Sequence, residues 1–161
     1  MFEKLMVVLH NVQSVQRVVE TAKVTYGLGF KNFIVSKAAG SAAQSGVPEA
    51  QRLALKLKRN FFYLADLPEV LDVFKPELTL MFVPRPYGEE EYNPIKVLET
   101  LEKGAVVLVF GGAEPGLSRR ELDLGTPTYV PLVGEDIGVS GLAAIVLYKL
   151  LETAGDRLNL K

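Results

Sequence analysis

The 161-residue chain has no cysteine, no tryptophan and a single histidine, His10. Without cysteine there is no disulfide, no thiolate metal site and no thiol nucleophile. One histidine excludes any site that needs two imidazoles, and we expect no metal site. The apolar stretch Ile137–Leu151 is too short to span a bilayer and is interrupted by polar residues and glycine. With an N-terminus that lacks the layout of a signal peptide, these absences predict a cytoplasmic protein.

The chain also has no large excess of charge of either sign, because 18 basic and 19 acidic residues give a formal net charge of −1. Long-range steering toward nucleic acid is therefore not the default expectation. Positive residues do cluster locally, and solvated helix faces explain such clusters more often than RNA contact does. The clustered residues are Arg52, Lys56, Lys58 and Arg59 in one segment, and Arg119 and Arg120 in another.

Strand-like and helix-like segments alternate along the whole chain, which predicts an α/β fold: a mainly parallel sheet with helices on both faces. Helix starts are indicated by the candidate N-caps Ser14, Asp66 and Asn93 and by Pro48. No linker, repeat or change of composition divides residues 1–161, so we expect one domain. Strands are predicted at 5–9, 32–36, 61–64, 78–83, 106–110 and 128–132, and a last helix at about 139–154.

The loop at 37–46 consists almost entirely of small residues. Such a composition indicates either mobility or close packing against a neighbouring element, and the loop is a candidate lid.

The apolar run at 106–110 is typical of a strand buried on both faces, and it stops at Gly111 and Gly112. Glu114 and a Pro-Gly turn follow within a few positions. Similar loops, rich in proline and glycine, follow the strands at 78–83 and 128–132. Ligands bind beyond the carboxyl ends of parallel strands, so the three loops favour one shared pocket, although each alone could be a plain connection.

Three segments, Phe110–Ser118, Tyr129–Leu132 and Gly138–Tyr148, resemble the last two motifs of the SPOUT (α/β-knot) S-adenosylmethionine-dependent RNA methyltransferases. Leu80–Pro86 stands in the place of the preceding cofactor loop. The resemblance implies a C-terminal trefoil knot, a tRNA or rRNA substrate, and a homodimer formed through the last helix. It also implies the following contacts with S-adenosylmethionine: Val83, Pro84, Gly111, Gly112, Glu114, Gly116, Val130, Leu132, Ile137, Val139 and Ser140.

The chain departs from the ribose-methylating branch of that family in two places. His10-Asn11-Val12 and Arg17 lie near the expected asparagine-rich loop and helix arginine, but their spacing does not match. Asp136–Val139 stands where that branch has a Ser-Leu-Asn-Val run. The catalytic group is therefore left open.

We take Arg17, Arg85 and Asn11 as the candidate catalytic residues. Arg17 contacts a phosphate or the acceptor hydroxyl, or is a solvated helix residue. Two prolines fix the backbone of Arg85 beside the predicted pocket. His10 is either a base or a residue that closes the first strand. Glu114 binds the cofactor amine or caps the next turn.

Two functions follow from these residues. The first is methyl transfer from S-adenosylmethionine to tRNA or rRNA. The alternative is a non-catalytic module on an α/β-knot fold that binds a nucleotide or a protein. A phosphate-handling enzyme is disfavoured, since no Walker-type lysine or Gly-x-Gly-x-x-Gly follows an early strand.

Overall fold

The computed structural model describes residues 1–114 and 116–157, and within them the strands form a seven-stranded sheet in which every pair is parallel. The order across the sheet is β3-β2-β1-β6-β4-β7-β5. The strands are β1 (Leu5–Val12), β2 (Asn32–Ala38), β3 (Asn60–Leu64), β4 (Leu78–Phe82), β5 (Glu90–Glu91), β6 (Val106–Gly111) and β7 (Thr126–Tyr129).

Most helices begin where the sequence places an N-cap. The side chains of Ser14, Asp66 and Asn93 each accept a backbone N–H at the start of their helix, as predicted. The helices are α1 (Val15–Gly27), α2 (Val47–Leu57), α3 (Leu67–Phe74), α4 (Pro94–Leu101), α5 (Arg119–Leu122) and α6 (Val139–Arg157). In the described part of the chain no helix is long and apolar enough to cross a membrane.

The two faces of the sheet are covered unequally. Alternate residues of β1 point to opposite faces, so Leu5, Val7 and Leu9 join the larger core while Met6 and Val8 join the smaller one. Helices α1, α2, α4 and α6 cover the larger core, whereas α3 and residues of the α5 segment cover the smaller one. The predicted α/β class, with helices on both faces, is confirmed.

The small-residue segment after β2 is a helical turn and not an open loop. Residues Ala42–Gly46 form a π-helical turn that leads into α2. Ala42 is buried, and a Cβ at Gly46 would lie 3.2 Å from Val18. Close packing against α1, one of the two explanations for this composition, is therefore the correct one.

Strand β7 begins two residues before the strand predicted at 128–132, and it ends three residues before the predicted end, at Tyr129. Beyond it, Pro131 has no N–H to donate and Leu132 has a left-handed backbone with φ 71°. These two features stop the extended conformation. Strand β5 and helix α5 were not predicted, because segments of two and four residues carry no readable period.

Candidate functional site

The three loops rich in glycine and proline lie side by side in the structure. They follow β4, β6 and β7, which are adjacent and parallel in the order β6-β4-β7. All three therefore open on the carboxyl edge of the sheet, where ligands bind in open α/β folds. The side chains of Val83 and Val130 are buried. The Val83 N–H donates to the carbonyl of Thr128 at 2.9 Å, and the Val130 carbonyl accepts the N–H of Val133 at 3.4 Å.

Gly112 joins the loop after β6 to the end of β1. Its N–H donates to the carbonyl of His10 at 2.8 Å. A Cβ at this position would lie 2.7 Å from Cβ of Val12 and 3.0 Å from the carbonyl oxygen of Asn11. The absence of a side chain at Gly112 is thus required by the protein's own packing, whereas the sequence suggested that a ligand required it.

Gly116 has a different reason to be glycine. Its φ of 99° is a conformation that residues with a side chain rarely adopt, and a Cβ there would meet open space. Glu114 is exposed at this turn. Pro115, the proline of the expected Pro-Gly turn, lies outside the described residues.

Two of the three candidate catalytic residues lie together beside this loop. Arg17, on α1, donates from Nη1 to the carbonyl of Gly112 at 2.8 Å. Asn11 has a left-handed backbone, φ 62°, at the end of β1, and its carbonyl is the oxygen that faces Gly112. The backbone turn at Asn11 and the Arg17 guanidinium therefore border the same loop.

Arg85 lies on the other side of the edge. It begins a 3₁₀ turn, Arg85–Tyr87, after β4, and its guanidinium carbon lies 5.3 Å from the centre of the Tyr129 ring. This cation–π contact holds an exposed guanidinium next to β7.

The loop after β7 presents apolar side chains to solvent. Leu132 is fully exposed (101%), and Ile137 is also exposed. A turn in which Asp136 accepts the N–H of Gly138 leads into α6, and Val139 and Ser140 form its first residues. Ser140 donates to Glu20 of α1 at 3.4 Å. Exposed apolar groups at a strained turn are typical of a binding surface.

A cavity of about 280 Å³ lies away from these loops, between β5, β7 and α4. Its lining includes Glu90, Glu91 and Lys96, and Lys96 is paired with Glu90 at 3.3 Å. It contains none of the predicted site residues.

A second group of polar residues lies at the carboxyl edge on the opposite face. His10 is fully buried, and its Nδ1 lies 2.8 Å from Oγ of Ser36, its neighbour on β2. Its Nε2 contacts a carboxylate oxygen of Glu121 in α5 and lies 3.9 Å from Oδ1 of Asp66. From the sequence, His10 was considered as a base or as the residue that closes the first strand, and Asp66 only as a helix cap.

The environment of Glu121 favours its charged form. Burial raises the pKa of its carboxyl, but hydrogen bonds from the Ser118 backbone N–H and from His10 outweigh that effect, so the pKa lies below its ordinary value. The sequence does carry a sign of this residue, because Ser118-x-x-Glu121 is a capping box. The pattern indicates a helix start, but it does not predict the contact between Glu121 and His10.

Comparison with solved structures shows the fold. The chain superposes on a "probable methylase family protein" of Haemophilus influenzae with a TM-score of 0.74 and 15% identity, over 100% of this chain and 71% of that one. A structure described as "insights into the 2-OH methylation of C/U34 on tRNA" gives 0.72 and 17%, over 94% and 97%. The SpoU methyltransferase AviRb of Streptomyces viridochromogenes, in complex with AdoMet, gives 0.71 and 16%, over 96% and 62%. The chain has the fold of these SpoU-type methyltransferases.

Comparison of sequences leads to proteins with a different name. The chain is 44% identical to "Putative type II restriction enzyme ApeKORF2002P" of Aeropyrum pernix, over 92% of this chain and 94% of the relative. It is 32% identical to "Putative type II restriction enzyme MjaORF1200P" of Methanocaldococcus jannaschii, over 91% and 96%. Residues 40–149 match the family described as RecB-family nuclease (DUF2122). Since this match spans well over half of the chain, the chain belongs to that family.

Proposed function

We propose that this protein transfers a methyl group from S-adenosylmethionine to RNA, with tRNA or rRNA as the acceptor. The observation that carries the proposal is the arrangement of the three loops after β4, β6 and β7 on adjacent parallel strands. A fold shared with a methyltransferase in complex with AdoMet supports it. The trefoil knot expected of these loops is part of the same proposal.

The loops fit such a cofactor through their backbone. Val83 and Val130 bury their side chains, so a ligand at this edge would meet their main chain, of which the Val83 N–H is already bonded to Thr128. Gly116 leaves open space. Leu132 and Ile137 offer exposed apolar surface on which an adenine ring can pack. Glu114 is exposed and supplies a carboxylate for an ammonium group. The remaining predicted contacts, Pro84, Gly111, Val139 and Ser140, lie in or beside the same loops.

When bound, the sulfonium of S-adenosylmethionine supplies an activated methyl group. The protein's residues then have to orient the acceptor, because holding two reactants in line accounts for much of such a reaction's acceleration. Arg17 is suited to this role, since Gly112 holds its guanidinium beside the loop. Arg85 provides a second fixed positive charge across the edge. Asn11 sets the backbone against which Gly112 rests.

Calorimetry with S-adenosylhomocysteine, followed by methyl transfer to bulk RNA, tests the proposal. We expect binding by the wild type, and a loss of transfer without loss of binding for Arg17→Ala. Arg52→Ala, which changes an exposed arginine on α2, is the matched control. No binding of S-adenosylhomocysteine would overturn the proposal, and binding without transfer to any RNA would favour the non-catalytic module.

Because the relatives are named as putative restriction enzymes, the experiment also needs a test for DNA cleavage. The protein should also be incubated with plasmid DNA and Mg²⁺ or Mn²⁺, the ions on which metal-dependent nucleases rely. We expect intact plasmid. Cleavage by the wild type, without S-adenosylhomocysteine binding, would favour the nuclease activity that the relatives' name states.

We also propose that the protein forms a homodimer through α6. Leu147 of α6 is fully buried within the chain, so it is not available to an interface. Ile145 and Tyr148 are exposed on the same helix and form the available apolar surface. Light scattering should show a dimer for the wild type and a monomer for Tyr148→Glu, with Tyr87→Glu, at another exposed tyrosine, as control. A monomeric wild type would contradict the dimer.

A further inference from the structure

Residues from four separate elements meet at the end of β1, on the face covered by α3 and α5. His10 and Ser36 are register neighbours on β1 and β2. Asp66 is the N-cap of α3, and Glu121 lies in α5. One ligand atom each from His10, Asp66 and Glu121 lies within 4.8 Å of the other two. Ligand atoms that share one ion at about 2.0–2.2 Å lie roughly 3.4 Å apart in a tetrahedral site, so the three side chains would have to adjust on binding.

Each of the three side chains is oriented by a separate hydrogen bond. Ser36 Oγ contacts Nδ1 of His10 at 2.8 Å, which leaves Nε2 directed at the carboxylates. The Ser118 N–H donates to Oε1 of Glu121 at 2.8 Å, which leaves Oε2 directed at His10. Leu67 N–H donates to Asp66 at 2.8 Å. Outer hydrogen bonds that fix ligand orientation are typical of metal sites.

Charge and access favour a cation at this position. Two carboxylates face one imidazole, and among the described residues neither carboxylate has a salt bridge to lysine or arginine. The exposed fraction of the side chain rises from 0% at His10 through 15% at Glu121 to 55% at Asp66. The group therefore extends from a buried imidazole to a carboxylate that is in contact with solvent.

We propose that His10, Asp66 and Glu121 bind one divalent transition-metal ion, with Zn²⁺ as the ion that suits one imidazole and two carboxylates. Three protein ligands leave a further coordination position for water. The site would connect α3 and α5 to the end of β1, and it does not depend on methyl transfer. It differs from the sequence-based expectation that the chain has no metal site.

Calorimetric titration of chelator-treated protein with ZnCl₂ tests the site. We expect one equivalent to bind, more tightly than Mn²⁺ and much more tightly than Mg²⁺. Asp66→Asn and Glu121→Gln remove a charge but keep a side chain that caps a helix start, so both variants should fold. Each should bind Zn²⁺ at least tenfold more weakly. Asp72→Asn and Glu99→Gln, which change exposed carboxylates elsewhere, should bind as the wild type does.

The single histidine supplies an independent readout. Because the chain has only one imidazole, its ring signals in a nuclear magnetic resonance spectrum report His10 alone. They should move on addition of one equivalent of Zn²⁺. The site is overturned if the wild type binds no stoichiometric Zn²⁺, if the ring signals stay unchanged, or if both ligand variants match their controls. S-adenosylhomocysteine affinity, measured in the same variants, should not change, so the two proposals fail separately.

Discussion

The carboxyl edge of the sheet carries two regions built from different parts of the chain. On the face of α3 and α5, charged and polar side chains converge and form the side-chain-built region: His10, Ser36, Asp66 and Glu121. Beyond β4, β6 and β7, the glycine- and proline-rich loops form a second region, the backbone-built region, in which Leu132 and Ile137 are exposed. The first region suits a small cation that needs oriented lone pairs, and the second suits an extended organic ligand that needs shape and apolar surface.

Gly112 lies between the two regions, and a side chain there should produce the largest effect. Gly112→Ala places a Cβ 2.7 Å from Val12 and 3.0 Å from the Asn11 carbonyl, so the loop or the end of β1 must shift. We expect the free energy of unfolding to fall by about 1–3 kcal/mol, the cost of overpacking. Urea denaturation measures it. Gly27→Ala is the control, since nothing lies within 4 Å of its Cβ. If Gly112→Ala were as stable as Gly27→Ala, the packing of Gly112 against Val12 and Asn11 would not be tight.

Leu132 should separate ligand binding from stability in the backbone-built region. Its left-handed backbone is strained for leucine, and asparagine adopts that conformation more readily. Leu132→Asn should therefore leave the melting temperature unchanged or higher while S-adenosylhomocysteine binds about tenfold more weakly, a cost of about 1.4 kcal/mol. Leu55→Asn, at an exposed leucine of α2, should not change affinity. Unchanged affinity in Leu132→Asn would remove this side chain from the site.

Tyr92 is bonded to α6 next to the same region, and it should make the stability of the protein decrease at alkaline pH. Its hydroxyl donates to the carbonyl of Val146 in α6 at 2.9 Å, and burial raises its pKa. The stability it contributes is therefore complete below pH 10, the ordinary pKa of tyrosine, and declines as pH rises above it. Tyr92→Phe should cost about 1 kcal/mol at neutral pH and reduce the alkaline decline. Urea denaturation from pH 8 to 11 tests this, with exposed Tyr148→Phe as control.

Arg85 should show the smallest effect, and only on RNA. Arg85→Ala should spare S-adenosylhomocysteine binding, weaken RNA binding, and lower the slope of affinity against salt by about one phosphate contact. Filter binding at several salt concentrations measures the slope. Arg52→Ala should leave it unchanged. If the two variants behave alike, RNA does not approach the side of the edge that carries Arg85.

The backbone-built region could be predicted from the sequence because its signals are local. The apolar run before Gly111, the glycines and prolines that follow the strands, and the alternation of strands and helices each depend on a few neighbouring residues. Parallel pairing then brings the three loops to the same edge of the sheet, although the order of the strands could not be predicted. The left-handed turn at Leu132 was missed, because leucine gives no indication of that conformation.

The side-chain-built region could not be predicted, because its members are far apart in the chain. Ser36 is 26 residues from His10, and Glu121 is 111 residues from it. Their meeting requires the order of β1, β2 and β6 and the exact position of the four-residue helix α5. No spacing rule connects residues across that distance.

Glu121 divides its two carboxylate oxygens between two elements. One accepts the N–H of Ser118 and starts α5, and the other contacts His10 at the end of β1. This sharing constrains which substitutions the family can accept at positions 10 and 121. A change at position 10 would leave a half-buried carboxylate without its partner, and a change at position 121 would leave a buried imidazole nitrogen unpaired. Positions 10 and 121 should therefore vary together among relatives.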